Sequence, residues 1–264
     1  MGSARCWLLG ILLVAGRAAA IANGDVPTEE EFTAAYPWAV VLSAEGRTNA
    51  CAGSLISPRY VLTAAHCAKP GLTVLYGSRS RAEARRVPVR EVIRHPQYTS
   101  SPMTNDIALL RLARPLRLKP VPIAGPAEAW LLLRRGSSGT ILGWGGVNDR
   151  LGRPELVRVA EVTFAELGMV GTHIAFYSPS GGPCGGDSGG PLVIEGHDGQ
   201  SVLVGIASVT DGSLCATGGG RSGYTRVPLL LDFIRRHVSD LPERAPPLDF
   251  DAARSRAGAR PPGD

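Results

Sequence analysis

A glycine-rich run in the second half of the chain reads Pro183-Cys184-Gly185-Gly186-Asp187-Ser188-Gly189-Gly190-Pro191. Glycine lets a backbone take left-handed and cramped turns that other residues resist. Such a turn can push the Ser188 hydroxyl outward while backbone N–H groups converge on one point, as an activated serine and an oxyanion hole require. The alternative is a loop in a β-protein that needs tight turns and nothing more. The rest of the chain decides between the two.

The composition is that of a globular chain rich in turns. Of the 264 residues, 33 are glycine, 21 are proline and 44% are hydrophobic. This allows a substantial core and favours many short strands over long helices. Residues 1–20 hold two of the 28 basic residues and none of the 23 acidic ones, which leaves a net charge of +3 from Ile21 onward. A charge this small does not suggest a nucleic-acid partner.

An arginine-rich stretch lies in the first half of the chain. It contains Arg79, Arg81, Arg85, Arg86, Arg90 and Arg94. Such a cluster could attract a polyanion. Because Glu83 and Glu91 interrupt it, we interpret it as a solvated strand-and-loop face.

The N-terminus has the pattern of an export signal. Arg5 supplies the positive charge, Trp7 to Ala15 the apolar core, and Ala18-Ala19-Ala20 a small-residue cleavage site. The apolar run is too short to cross a bilayer, and no later segment is long enough. We therefore predict that residues 1–20 are a signal peptide and that the remainder is secreted into an oxidising compartment.

Four of the five cysteines lie after this signal, namely Cys51, Cys67, Cys184 and Cys215. An even number fits two disulfides, and the count alone leaves three pairings open. The cysteine spacing matches no common zinc motif, so we expect neither a metal nor another cofactor.

Two further polar residues stand beside apolar runs. A predicted strand starting at Tyr60 runs into a turn that leaves His66 next to Cys67. Asp106 comes directly before the apolar run Ile107-Ala108-Leu109-Leu110, at the edge of a predicted core. Taken singly, such a histidine or aspartate is more often an ordinary polar residue near a disulfide or in a turn.

The remaining pattern is mostly strand. We predict strands over 37–42, 51–56, 72–76, 86–94, 107–112, 139–144, 156–164, 174–177, 191–194, 202–209 and 223–227. Residues 113–128 contain four prolines and predict a crossing segment between two halves. Helical spacing of apolar residues over 228–238 predicts a short packing helix. Residues 241–264 lack apolar periodicity and predict a disordered tail.

Six stretches follow one another in a distinctive order. They are Ile21-Ala22-Asn23-Gly24, Leu62-Thr63-Ala64-Ala65-His66-Cys67, Asn105-Asp106-Ile107-Ala108-Leu109-Leu110, Gly143-Trp144-Gly145, Gly186-Asp187-Ser188-Gly189-Gly190-Pro191 and Gly223-Tyr224-Thr225-Arg226-Val227. Together they resemble the chymotrypsin/trypsin-like serine protease family over residues 21 to about 240. The resemblance implies an all-β fold of two packed antiparallel β-barrels, about 21–120 and 121–240, with a short C-terminal helix.

The resemblance also implies the roles of particular residues. Ser188 would be the nucleophile, His66 the general base and acid, and Asp106 the residue that orients the imidazole. The N–H groups of Gly186 and Ser188 would form the oxyanion hole. The implied disulfides are Cys51–Cys67 and Cys184–Cys215.

The implied activation step departs from the family. A new N-terminal amine, here that of Ile21, would form an ion pair with the buried carboxylate of Asp187 and order the oxyanion loop. Family precursors often have a basic residue before this cut, whereas this chain has Ala20. We therefore predict that removal of the export signal itself produces the active terminus.

The implied specificity pocket is small and uncharged. Family spacing puts Gly182 at its floor, Ser208-Val209-Thr210 along one wall and Ser222 on the opposite wall. The family's large pockets have glycine where Thr210 and Ser222 stand, so we expect an elastase-like preference for alanine, valine or similar residues. Val209 replaces a usual tryptophan, and a usual disulfide is missing between residues 166 and 180.

The expected partners are protein or peptide substrates and protein protease inhibitors, bound by a monomer without nucleic acid or a membrane span. One alternative is a secreted, non-catalytic homologue that binds a protein partner through the same scaffold. A second is a polyanion-binding host-defence protein that uses the arginine-rich stretch.

Overall fold

The structure is a computed structural model that describes residue 21 and residues 24–44, 51–146, 155–166, 172–178, 182–210 and 220–244. Most of the described chain is β-strand, and its helices are short. The predicted signal peptide lies outside the described residues, as does the segment beyond residue 244.

The first barrel is an antiparallel sheet closed by six of the described strands. They follow the order β1-β2-β3-β8-β5-β4. Alternate apolar residues of these strands fill its centre, and Val40, Leu62 and Leu110 are fully buried. Their bounds are β1 Ala39–Ala44, β2 Cys51–Ser57, β3 Tyr60–Thr63, β4 Leu72–Tyr76, β5 Arg85–Arg94 and β8 Ala108–Leu112, and a small hairpin of β6 Thr99–Ser100 and β7 Met103–Thr104 precedes β8.

The second barrel repeats this architecture. Six described strands close in the order β10-β11-β14-β13-β12-β9. Their bounds are β9 Ser138–Gly143, β10 Arg158–Glu166, β11 His173–Ser178, β12 Pro191–Glu195, β13 Ser201–Thr210 and β14 Gly220–Arg226. The pairing of β13 with β14 shifts register between Ala207 and Val209, so Ser208 lies at an irregularity in the sheet. Such irregularities re-aim side chains and are common next to active sites.

The chain ends its described part in a helix packed on the barrels. A 3₁₀ turn, Val227–Leu230, leads into α3, Leu231–His237, and Phe233 and Ile234 of this helix are buried. Two closed antiparallel barrels with a short C-terminal helix confirm the predicted fold class.

Two helices occur where no helix was predicted from the sequence. The first, α1, runs over Glu29–Ala35 and begins with a capping box in which Thr28 and Glu31 bond each other's backbone N–H groups. Its Phe32 is fully buried and packs edge-on against Trp144, with ring centroids 5.9 Å apart. The second, α2, runs over Pro126–Leu132 with proline in its first turn, and its first three residues overlap the end of the segment interpreted as a crossing between the halves.

The first residues of the predicted tail lie against the second barrel. The Arg244 side chain contacts the buried carboxylate of Glu128 on α2 and is 3.1 Å from a carboxylate oxygen of Asp198. His197 is 3.1 Å from the same Glu128 carboxylate. Charge pairing of Arg244 and packing of Leu241 against the hydrophobic core therefore hold this segment on the fold.

Within the described part of the chain, no helix combines the length and apolar character that crossing a bilayer requires.

Candidate active site

His66 and Asp106 meet at one end of the first barrel. His66 lies three residues after β3 and Asp106 two residues before β8, and these strands pair with Thr63 opposite Ala108. The His66 backbone N–H donates to Asp106 Oδ1 at 3.0 Å, and His66 Nδ1 lies 2.7 Å from Asp106 Oδ2. The Asp106 side chain is fully buried, whereas the imidazole is 26% exposed. The two bonds fix the imidazole's orientation and leave its other nitrogen for chemistry.

The second barrel also holds Asp106 in place. Ser208 on β13 donates from its hydroxyl to Asp106 Oδ2 at 2.6 Å, and Thr225 on β14 donates to the Asp106 carbonyl at 3.1 Å. The neighbouring Asn105 has a left-handed backbone, with φ of 48°, and its N–H donates to the Thr172 hydroxyl at 3.2 Å. The aspartate therefore depends on contacts from both barrels.

Two opposing effects set the pKa of the Asp106 carboxyl group. Burial raises it, but hydrogen bonds from His66 and then Ser208, together with the attraction of the His66 ring, outweigh burial and hold the pKa below its usual range. Asp106 is therefore ionised at neutral pH and can stabilise a positive charge on His66.

The Ser188 loop is tied to both barrels. The Ser188 carbonyl accepts from the Ala52 N–H on β2 at 2.8 Å, and the Gly189 N–H donates to the Ala207 carbonyl on β13 at 2.7 Å. Gly189 has a φ of +75°, and a Cβ there would lie 2.7 Å from the Ala52 carbonyl oxygen, so only glycine fits. Ser188 itself is half-buried between the barrels.

Asp187 occupies a buried pocket under this loop. Its carboxylate accepts from the Gly145 N–H at 2.7 Å and the Cys184 N–H at 2.9 Å. A Cβ on Gly145 would lie 2.6 Å from the same carboxyl group, which accounts for the glycine in the Gly143-Trp144-Gly145 stretch. Ile21 is buried in the core of the second barrel, where its carbonyl accepts from the Gly24 N–H at 2.7 Å.

The residues assigned to the specificity pocket lie on neighbouring elements of the second barrel. Thr210 on β13 pairs with Ser222 on β14, and Val209 pairs with Gly223. Ser222 is buried and Thr210 is exposed. Gly182 is buried just before the Ser188 loop.

A disulfide joins Cys51 to Cys67, as predicted. It occupies both sulfur atoms of a close triplet formed with His66, so these cysteines have no thiolate to offer a metal. Cys184 is also disulfide-bonded. Cys215 lies outside the described residues, and its pairing with Cys184 stays a prediction.

Some contacts of the site escaped the sequence analysis. Ser208 was assigned only to the pocket wall, yet its hydroxyl bonds Asp106. Thr225 lies inside a quoted motif but received no role. His173, at the start of β11, is buried with Nε2 3.0 Å from Ser208 Oγ. The only sequence signal for it was a histidine beside an apolar strand, which is uninformative alone.

Comparison with known proteins agrees with this geometry. The family model described as Trypsin matches residues 24–234. The chain belongs to the trypsin family. The match to this family includes both barrels and the residues around His66, Asp106 and Ser188.

Three similar proteins illustrate the relationship. Vitamin K-dependent protein C of Mus musculus is 31% identical over 249 residues, which cover 83% of this chain and 52% of that protein. Trypsin 5G1 of Aedes aegypti is 32% identical over 232 residues, which cover 80% of this chain and 82% of that protein. Coagulation factor IX of Oryctolagus cuniculus is 36% identical over 216 residues, which cover 73% and 76%.

The chain thus spans about half the length of protein C. Trypsin-family membership and these relatives support a serine endopeptidase. They do not indicate which residue precedes the cleaved bond, so the elastase-like pocket stays a prediction.

Proposed function

We propose that the mature chain is a secreted serine endopeptidase that acts through His66, Asp106 and Ser188. The observation that carries the proposal is the hydrogen bond between His66 Nδ1 and the buried carboxylate of Asp106, 2.7 Å long, beside a serine loop bonded to both barrels. Trypsin-family membership supports the same activity.

The chemistry follows from the protonation that this pair imposes. Because ionised Asp106 accepts a hydrogen bond from the Nδ1–H group of His66, the Nε2 of His66 carries a lone pair and can take the proton of Ser188 Oγ. The Ser188 oxygen then bonds to the scissile carbonyl carbon, and the carbonyl π electrons move to its oxygen.

The resulting oxyanion would be held by the N–H groups of Gly186 and Ser188. Gly186 has a φ of +106°, a conformation that suits a turn in which successive N–H groups point to one side. When the intermediate collapses, the C–N bond breaks and His66 returns its proton to the leaving amine. Water then repeats the sequence on the acyl-enzyme and releases Ser188.

The proposed activation device is an ion pair between the Ile21 amine and Asp187. Two backbone N–H groups already stabilise the Asp187 carboxylate, and Ile21 is 1% exposed. A terminal ammonium delivered to this pocket would neutralise a buried charge that is otherwise costly. Cleavage after Ala20 during export would create that ammonium without a separate propeptide.

The proposed specificity is for small uncharged residues before the scissile bond. Gly182 has no charged side chain at the pocket floor. At the walls, Thr210 and Ser222 carry side chains where the family's large pockets have glycine. Because one methylene is worth only about 1–3 kcal/mol of discrimination, the preference should be graded. Hydrolysis of peptides that differ only at this position tests it. Alanine and valine substrates should be cleaved faster than an arginine substrate, and the reverse order would refute the pocket assignment.

A fluorophosphonate probe tests the proposed activity. The mature chain beginning at Ile21 should be labelled at Ser188, and Ser188→Ala should not be labelled. His66→Ala, which keeps the hydroxyl, should be labelled at least about 100-fold more slowly, because general-base catalysis contributes about 10²–10⁴. A folded chain that is not labelled, or is labelled equally after His66→Ala, would favour the non-catalytic alternative.

The structure offers little support for the alternative in which the arginine-rich stretch binds a polyanion. Arg79 lies 3.6 Å from Glu29, Arg85 stacks over the Tyr76 ring and Arg94 bonds the Ala68 carbonyl. These three arginines therefore already have partners within the chain.

A further inference from the structure

A second histidine is connected to the candidate catalytic residues by a chain of hydrogen bonds. His173 begins β11 in the second barrel and is 3% exposed. Its Nε2 lies 3.0 Å from Ser208 Oγ, and that oxygen lies 2.6 Å from Asp106 Oδ2. Since Asp106 Oδ2 also lies 2.7 Å from His66 Nδ1, an unbroken hydrogen-bonded chain joins the two imidazoles.

The direction of each bond in this chain follows from the proton inventory. Ser208 has one hydroxyl hydrogen, and the ionised carboxylate of Asp106 is its nearest and strongest acceptor. The sulfur of Met103, 3.3 Å from Ser208 Oγ, is a weak acceptor by comparison. With its hydrogen directed at Asp106, Ser208 can only accept from His173.

The opposite arrangement is unfavourable. If Ser208 donated to His173, its oxygen lone pairs would face a carboxylate oxygen 2.6 Å away with no hydrogen between them. His173 therefore carries a proton on Nε2.

The surrounding contacts keep His173 in this position. Its backbone pairs with Thr225 of β14, whose hydroxyl bonds the Asp106 carbonyl. The hydroxyl of the preceding residue, Thr172, accepts a hydrogen bond from the backbone N–H of Asn105, which comes immediately before Asp106 in the chain. The start of β11 thus packs directly behind the aspartate.

We propose that His173 is a positioning residue for the proteolytic reaction and acts through Ser208. By donating from Nε2, it fixes the Ser208 hydroxyl toward Asp106. It also polarises that hydroxyl, because hydrogen bonds in a chain strengthen one another. The result is a carboxylate held in one orientation against His66. This inference rests on the proposed role of His66, Asp106 and Ser188.

Three variants test the proposal through steady-state kinetics. In His173→Leu, which cannot donate, kcat should fall about 3- to 10-fold with KM nearly unchanged, the factor expected for one ordinary hydrogen bond. His173→Gln should recover most of kcat, since its amide N–H can donate in place of Nε2. The exposed His237 on α3 supplies the control, and His237→Leu should match the wild type.

A measurement on the unaltered enzyme covers the case in which a His173 variant does not fold. Nitrogen-15 NMR of the histidine rings should show the His173 proton on Nε2 at neutral pH. A proton on Nδ1 alone would overturn the proposal, as would a folded His173→Leu with wild-type kcat or a Gln variant no better than Leu. If the wild type fails to label at Ser188, the proposed function is refuted instead, independently of the His173 tautomer.

Discussion

A single carboxylate, that of Asp106, connects the two barrels at the candidate site. It accepts hydrogen bonds from His66 on the first barrel and from Ser208 on the second. A buried carboxylate is stable only when such donors surround it. The contacts that hold Asp106 therefore connect the two barrels and also fix the orientation of the His66 imidazole.

Acid should remove part of the stability that Asp106 provides. A carboxyl group whose pKa is lower in the folded state adds to the unfolding free energy above its unfolded pKa of about 4, and this is lost as pH falls through the folded pKa. Urea unfolding at pH 7 and pH 3 should therefore show a larger loss for the wild type than for Asp106→Asn. The exposed Asp232→Asn should follow the wild type. An equal loss in Asp106→Asn would contradict this account of the site.

Gly145 should tolerate no side chain. Gly145→Ala would place a methyl group 2.6 Å from the Asp187 carboxyl group, and overpacking of this kind costs about 1–3 kcal/mol. We expect a lower Tm and slower fluorophosphonate labelling of Ser188. Gly125→Ala is the matched control, since nothing lies within 4 Å of its Cβ position. A variant at Gly145 that labels like the control would contradict the pocket described around Asp187.

These residues differ in how visible they were in the sequence. The glycines around Ser188 and Trp144 are easy to recognise in the sequence, because tight turns and close backbone approaches are the main reasons for such glycine runs. The partners of Asp106 do not, since Ser208 and Thr225 lie 102 and 119 residues away along the chain. No local pattern reports contacts at that separation.

Helix α1 joins the N-terminal segment to the wall of the Asp187 pocket. Its Phe32 packs on Trp144, and the Trp144 indole N–H donates to the Arg79 carbonyl at 2.8 Å. Glu29 of the same helix accepts from Ser78 and from the Arg79 N–H, each at 3.3 Å. The helix therefore supports the stretch that carries Gly145.

Truncating the Phe32 ring should destabilise the fold. Phe32→Ala removes a fully buried aromatic ring and should lower the unfolding free energy by about 3–5 kcal/mol. Trp130→Ala on α2 is the control, because this ring is 64% exposed and its loss should change stability by about 0.5 kcal/mol or less. Chemical denaturation of both variants measures the difference. Similar small losses would show that α1 does not pack as described.

The short helices mark the limit of periodicity as a guide. Helix α1 buries only Phe32, and α2 buries only Glu128 and Ala129, so neither shows the apolar repeat that predicted α3. The capping box of Thr28 and Glu31 was nevertheless present in the sequence and would have predicted the start of α1. Most of the longer strands were easier to predict, because they carry apolar residues bounded by turn residues, whereas the two-residue strands β6 and β7 were not predicted.

The proposed activation depends on where the mature chain begins. Ile21 is already buried in the second barrel, and a free ammonium group exists at this position only when cleavage follows Ala20. Protein secreted by a eukaryotic host should have a mass and N-terminal sequence starting at Ile21. Any other mature terminus would refute activation by export. If one alanine is inserted between Ala20 and Ile21 and cleavage still follows Ala20, the mature chain begins one residue earlier and its activity should fall sharply.

For the molecule as a whole, the resemblance of a few short motifs to one family was sufficient to predict the architecture. The two closed barrels were predicted from the family resemblance, because strand patterns give no sheet topology by themselves. The terminal helix was already predicted by the apolar spacing of residues 228–238. The contact of Arg244 with Glu128 was not predicted, because residues 241–264 lack apolar periodicity and were interpreted as a disordered tail. Its acidic partners, Glu128 and Asp198, are distant in sequence.

The central claim is that ionised Asp106 makes His66 an effective base for Ser188. Peptide hydrolysis by the mature wild type and by Asp106→Asn, which keeps the shape but allows the wrong imidazole tautomer, tests it most directly. The account predicts a fall in kcat of about 10⁴, as in other enzymes with this triad. A folded Asp106→Asn variant with kcat close to the wild-type value would contradict it.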